Sequence, residues 1–162
     1  RFLTPYLSDF KGYSLFLDCD FVFKGDVADL LKIINKDKKK TLWCVKHNYI
    51  PKDKKKFLNE KQLKYEKKNW SSFVIYNNKK CKILKPEFVS KSDGLYLHQF
   101  KWTKDNNIGS LPKEWNMLVG EQKIKKNFKA LHYTLGGPYF KKYSKSSYAK
   151  YWLRLRDEML KI

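Results

Sequence analysis

The chain has 162 residues, 42% hydrophobic and 17% aromatic, which is enough apolar material for one domain with a real core and too much for a disordered chain. Its formal net charge of +20 predicts attraction to nucleic acid, an anionic membrane surface or phosphorylated small molecules, and says nothing about fold. No apolar run approaches the length a transmembrane helix needs.

In chain order, Phe2, Leu3, Tyr6, Leu7 and Phe10 recur at helical spacing, which predicts a helix over residues 1–10 stopped at Lys11-Gly12. Within Tyr13–Asp26, the apolar run Leu15-Phe16-Leu17 stops at Asp18 and Asp20 and resumes at Phe21-Val22-Phe23, and it reads as a strand buried on both faces. In extended backbone, residues two apart point the same way, so both carboxylates face one side and Cys19 the other. Two ionised carboxylates at a buried strand end are costly unless something cationic sits between them. A divalent metal carrying a polyphosphate, an Arg or Lys, and plain water all remain open. Gly25-Asp26 turns the chain, and Asp26 is placed to cap a helix over 27–35.

Thr41–Val45 is a second buried strand, and Trp70–Tyr76 a third, closed by the turn-prone Asn77-Asn78. Between them, residues 47–68 are Lys-rich with Pro51 and a weak helical pattern at Phe57, Leu58, Leu63 and Tyr65, and read as a loop with a short helix. Short helices follow over 86–90 and 94–102, then an extended segment at 108–116, a strand at 129–134, a Gly136-Gly137-Pro138 turn and an amphipathic helix over 147–160. Strands alternating with helices argue for an α/β sheet in one domain. The first residue, Arg1, falls inside a predicted helix, from which a missing N-terminal part is expected. Cys19, Cys44 and Cys81 lack CxxC spacing and are odd in number. They read as buried thiols of a reducing, cytoplasmic compartment and not as a disulfide framework or zinc site.

The order YSLFLDCDFVF, NWSSFVIYN, LHQF, IGSLPKEWN, ALHYTLGGPYF resembles the GT-A glycosyltransferases, most of all glycosyltransferase family 8 and its bacterial lipopolysaccharide-type relatives, along nearly the whole chain. The resemblance implies an α/β, GT-A-like mixed sheet flanked by helices, lacking the N-terminal nucleotide-binding strand–helix unit. It implies a metal-dependent enzyme of polysaccharide or lipopolysaccharide biosynthesis. Such an enzyme moves a sugar from a nucleoside-diphosphate donor, such as a UDP-sugar, to a glycan or lipid-linked acceptor.

On that resemblance, Asp18 and Asp20 are the D-x-D that holds Mn²⁺ or Mg²⁺, and His132 completes the metal's protein ligands. Arg1, Trp70, Ser71 and Ser72 lie beside the donor, with Gly136, Gly137 and Lys141 near its phosphates. His98 and Gln99 face the transferred sugar, and Trp115 and Asn116 shape the acceptor side. His98 stands where the family has Asp, Trp70 where it has Asn, and Pro138 where it has Lys, so the sugar and the stereochemical course stay open.

Each residue also has a plain structural role. Asp18 and Asp20 can cap a turn, His132 can be a satisfied core histidine, and Gly136-Gly137-Pro138 can be a tight turn. Cys19 reads as a small buried hydrophobe, and Trp115, Tyr139, Phe140 and Tyr143 as packing aromatics. A basic nucleic-acid-binding module and a catalytically incomplete fragment are the competing functions. Scarce Arg (Arg1, Arg154, Arg156) and the lack of a recognition motif argue against the first. The scattered Lys leave an anionic membrane's inner face as a further expected contact.

Overall fold

The computed structural model describes residues 1–51 and 64–161. The expected helical pattern at Phe57, Leu58 and Leu63 lies outside them. The chain divides into two compact units. The first gathers Arg1–Asp18, Asp26–Tyr49 and Lys64–Lys113; the second, among its described residues, gathers Cys19–Gly25, 50–51 and 114–161. Both are mixed α/β, with strands flanked by short helices.

The first unit is built on a four-stranded sheet, β1 (Tyr13–Leu17), β4 (Phe73–Asn77), β3 (Leu42–Cys44) and β5 (Ile108–Ser110), in the order β1-β4-β3-β5. β4 runs antiparallel to β1 and β3, and β5 lies parallel to β3. β3 and β4 are the buried strands, as their continuous apolar runs predict, whereas β1 is only half-buried and begins at an exposed Tyr13. Burial of β1 on both faces is therefore corrected: it stands first in the sheet order, so packing falls mainly on its neighbours.

Leu42, Cys44, Val74, Tyr76, Phe100 and Ile108 form the heart of this unit's core. Gly109 sits where a Cβ would lie 2.1 Å from the buried Trp43 ring, so β5 approaches β3 through a residue that has none. The predicted N-terminal helix contracts to α1 (Thr4–Leu7), because Asp9 and Phe10 take left-handed backbone with φ of 50° and 53° before Gly12 is reached. Helix α2 (Asp29–Ile34) starts later than predicted. Asp26 caps no helix; its carboxylate accepts from the Ala28 N–H at 2.9 Å in the turn ahead. α3 (Pro86–Lys91) and α4 (Gly94–His98) complete the unit, and Asp93 caps α4 through the Tyr96 N–H.

The second unit holds a three-stranded sheet, β2 (Phe21–Phe23), β7 (Ala130–His132) and β6 (Met117–Leu118), in the order β2-β7-β6. Its core joins Met117, Val119, Phe128, Leu131 and Tyr133, against which Trp152 of α5 (Ala149–Met159) packs. The expected extended run over 108–116 ends at Ser110; Lys113–Trp115 is a 3₁₀ turn that leads into β6. Among the described residues no helix is long and apolar enough to cross a membrane.

Candidate functional site

The Tyr13–Asp26 stretch holds two strands, and the D-C-D triplet at the end of the first is the turn between them. β1 pairs with β4 as far as Leu17↔Phe73 and β2 pairs with β7 from Phe21↔His132, so each strand belongs to a different sheet. The alternation that placed Asp18 and Asp20 on one side and Cys19 on the other therefore does not apply. Cys19 is exposed, not buried, while Cys44 and Cys81 are the buried free thiols.

Asp18 belongs to the first unit. Its backbone N–H donates to Ser72 O at 2.9 Å, and its Oδ1 receives Arg1 Nη2 at 2.8 Å. Arg1 Nη1 also donates to Ser71 O at 3.1 Å and Ser71 Oγ at 3.3 Å, with the guanidinium carbon 5.1 Å from the Phe16 ring centroid. Ser71 Oγ in turn lies 2.7 Å from His98 Nδ1, and His98 meets the edge of Phe2. The predicted residues Arg1, Asp18, Ser71 and His98 thus form one hydrogen-bonded chain. Ser71 and Ser72 are buried and Gln99 is half-buried, following His98 as the C-cap of α4.

Trp70 to Ser72 form a 3₁₀ turn and not the start of a strand. This turn follows Asn69, whose φ of 61° is left-handed. Trp70 Nε1 donates to His47 O at 2.8 Å, and Lys46 and Lys67 Nζ lie 5.7 and 5.8 Å from its ring centroid. One residue near Asp18 escaped sequence reasoning. Burial raises the Tyr65 phenol above the ordinary tyrosine range, while Arg1 lowers it and Asp18 raises it, so Tyr65 feels both ends of the ion pair. Its only sequence signal was a weak helical periodicity.

Asp20, His132, Gly136, Gly137 and Lys141 belong to the second unit. The β2–β7 register sets Phe21 opposite His132, and their rings stack at 4.3 Å. The Tyr133 N–H donates to the Asp20 backbone carbonyl at 3.0 Å, tying the residue after His132 to the main chain of Asp20. His132 Nε2 lies 3.3 Å from Asp20 Oδ1, and its Nδ1 lies 3.0 Å from Asn116 Oδ1. His132 is 2% exposed and Asn116 fully buried, so this ring is held on both sides. The resemblance put Asn116 on the acceptor side; here its amide orients His132. Trp115 is buried, as a packing aromatic would be.

Asn116 Oδ1 holds the ring at Nδ1, and Nε2 faces the carboxylate across a gap that a proton or a cation can occupy. Imidazole nitrogen and carboxylate oxygen together are donors suited to Mn²⁺, and a histidine fixed through its other nitrogen is how metal ligands are oriented.

Gly136 has a φ of 139°, open to glycine alone, and a Cβ there would lie 2.2 Å from the Tyr143 ring. A Cβ on Gly137 would lie 2.0 Å from the Tyr139 ring. The double glycine therefore admits two aromatic rings. Tyr139 also feels the site: burial raises its phenol above the ordinary range, helped by Asp20 and Cys19. Lys141 is exposed and starts the 3₁₀ turn Lys141–Tyr143.

No protein-family model matches the chain. It is 42% identical over 165 residues to Protein CDI of Arabidopsis thaliana, an alignment taking in 98% of this chain and 63% of that protein. The chain thus spans just under two thirds of the curated relative it matches. Among solved structures, the glycosyltransferase GlyE of Streptococcus pneumoniae TIGR4 superimposes with a TM-score of 0.58 at 18% identity, over 95% of this chain and 42% of that one. Mouse xyloside xylosyltransferase 1 superimposes with a TM-score of 0.49 at 12% identity, over 81% and 62% respectively. The GlyE superposition shows that the chain has the GT-A-like α/β fold its motif order implies.

Proposed function

We propose that this chain carries the donor-binding site of a glycosyltransferase, in which Asp18, Asp20 and His132 hold a divalent cation, Mn²⁺ or Mg²⁺, on the diphosphate of a nucleotide-sugar. The observation that carries the reading is the Asp20–His132–Asn116 arrangement, an imidazole nitrogen and a carboxylate oxygen 3.3 Å apart on a ring held from its other side. The likeness of fold to a glycosyltransferase adds to it. A single residue separates Asp18 from Asp20, so the chain keeps their Cα atoms within about 7 Å of each other whatever its conformation.

The cation supplies Lewis-acid stabilisation of the charge that grows on the leaving diphosphate. This chain's residues do the rest. Asn116 holds the His132 ring at Nδ1, which turns Nε2 toward Asp20. Arg1 orients Asp18 and adds a fixed positive charge where phosphate oxygens bind. Trp70, Ser71 and Ser72 border the donor sugar, and Gly136, Gly137 and Lys141 border its phosphates. His98, fixed through Ser71, and Gln99 face the anomeric centre, where the transition state is oxocarbenium-like. The acceptor is a glycan or a lipid-linked glycan.

The test is thermal unfolding of the longer protein with Mn²⁺ and a panel of nucleoside diphosphates. A rise in Tm with one of them, lost in Asp20→Asn and on adding EDTA, is expected. An unchanged Tm across the whole panel overturns the reading.

A further inference from the structure

The turn that leads into Trp70 is strained. Of the six non-glycine residues with left-handed backbone among those described, two fall here with one residue between them, Lys67 at φ 60° and Asn69 at φ 61°. Asparagine tolerates that conformation, whereas lysine gains nothing from it. Strain of this kind persists only where the surroundings hold it, and it gathers at working sites.

The turn is tied down at both of its left-handed residues. The Lys67 ammonium pairs with Asp105 Oδ1, and only 14% of the Lys67 side chain is exposed against 77% for Asp105. The same ammonium lies 5.8 Å from the centroid of the Trp70 ring, while the Lys67 carbonyl accepts the Trp70 N–H at 3.0 Å. Asn69 Nδ2 donates to Tyr49 Oη at 2.7 Å, and the Asn69 carbonyl accepts from Ser72 Oγ at 2.7 Å. Asp105 lies in the 3₁₀ turn Asp105–Asn107 just ahead of β5, so a mostly covered lysine joins two separate turns of the first unit. Taking an ammonium out of water is costly, and the Asp105 carboxylate offsets part of that cost.

What these ties fix is the backbone of Ser71 and Ser72. The Ser71 carbonyl accepts from Arg1, the Ser72 carbonyl accepts the Asp18 N–H, and Ser71 Oγ lies 2.7 Å from His98 Nδ1. A shift of the turn therefore moves Arg1, Asp18 and His98 together. We infer that Lys67 is a positioning residue: paired with Asp105, it holds the strained turn that aims Arg1 and Asp18 at the donor's diphosphate. The role rests on the donor-site reading, and Asp105 acts on that site only through Lys67. A turn fixed beforehand spares the ligand the cost of ordering Arg1 and Asp18 as it binds. Packing alone gives no reason to hold a lysine in left-handed backbone; an aimed pair of carbonyls does.

The test titrates inorganic pyrophosphate, with Mn²⁺ present, into the longer protein by calorimetry and records Tm beside it. Pyrophosphate stands for the donor's diphosphate and presumes no particular nucleoside. Lys67→Gly relaxes the left-handed φ and removes the ammonium, so affinity should fall about 10-fold or more while Tm holds or rises. Asp105→Asn changes an exposed side chain, keeps the fold, and should weaken binding in the same direction. Lys67→Arg should keep the affinity, because a guanidinium also pairs with Asp105. Exchanging the charges, Lys67→Asp with Asp105→Lys, should restore most of what Lys67→Asp alone loses. Affinity and Tm that fall together, with no recovery in the exchanged pair, show a merely structural ion pair and overturn the inference. So do variants that bind pyrophosphate as tightly as the parent, an outcome that leaves the donor reading standing. A parent that fails to bind pyrophosphate overturns the donor reading itself, and the inference falls with it.

Discussion

His132 Nε2 lies 3.3 Å from Asp20 Oδ1, and the imidazole that bridges them to the core is turned by Asn116 from the opposite side. A ring held this way has one free role for Nε2, to meet whatever Asp20 meets. Asn116→Leu removes the Nδ1 partner while keeping the volume. Mn²⁺ affinity measured by calorimetry should fall about 10–100-fold, the usual effect of deleting a ligand's supporting hydrogen bond. Melting without metal should fall too, since a buried imidazole nitrogen loses its hydrogen-bond partner at a cost of about 1–3 kcal/mol. Unchanged Mn²⁺ affinity in a folded Asn116→Leu protein would remove His132 from the ligand set.

Arg1 and Asp18 form a half-exposed pair at 2.8 Å, with each side chain about a quarter accessible. Solvent screens such a pair, so Arg1→Ala and Asp18→Asn in a double-mutant cycle should show a coupling of about 1 kcal/mol or less in stability. Arg1→Lys should keep part of that coupling but lose the fork to Ser71, because an ammonium cannot span both acceptors. Phosphate-bearing ligands are expected to bind more weakly to both Arg1 variants, and Arg1→Lys to rank between Arg1→Ala and the parent.

The three thiols should separate by reactivity. Cys19 is exposed and should react with a thiol reagent at once, whereas Cys44 and Cys81 should react only on unfolding. Burial pushes the Cys81 thiol up to about 12, and pushes Cys44 up as well. Both groups therefore stay protonated in the folded protein while the unfolded chain ionises above its ordinary value of 9.0. Their contribution to stability is complete below about pH 9 and is lost as pH rises toward 12, where the unfolded state binds fewer protons. Urea midpoints should fall steeply over that window, and less steeply in a Cys81→Ala protein.

Gly136 and Gly137 should respond differently to alanine. At Gly136 the left-handed φ of 139° itself is denied to Ala, so Gly136→Ala should destabilise by at least about 1–3 kcal/mol, and Tyr143→Leu should restore little of it. At Gly137 the obstacle is the Tyr139 ring, so Tyr139→Ala should restore much of the stability lost in Gly137→Ala. Equal rescue at both positions would show that ring contact alone sets the cost. Thermal unfolding of the four single and two double variants decides it.

Much of the fold was legible in the chain. The runs at Leu42–Cys44 and Phe73–Asn77 are apolar because both faces of β3 and β4 are covered, and continuous burial leaves that mark in any sequence. Helix ends were less legible. Asp9, Phe10 and Phe100 take left-handed backbone that their residue types do not announce, and so α1 and α4 stop short of their apolar periodicity.

Within the candidate site, residue identities came from the sequence and their partnerships did not. The carboxylates of D-C-D could be named in advance, since ionised groups beside apolar runs need partners wherever the chain folds, whereas His132, Ser71 and His98 were named through the resemblance. Which partners they find is a matter of strand pairing between segments a hundred residues apart. Ladder pairing ends β1 at Leu17 and starts β2 at Phe21 in another sheet, which exposes Cys19 and breaks the alternation read from a single strand. The fold also brings Asn116 to His132 and Arg1 to Ser71. Periodicity is local and reports burial; the hydrogen-bond partner of a buried polar atom is non-local, and only the folded backbone decides it.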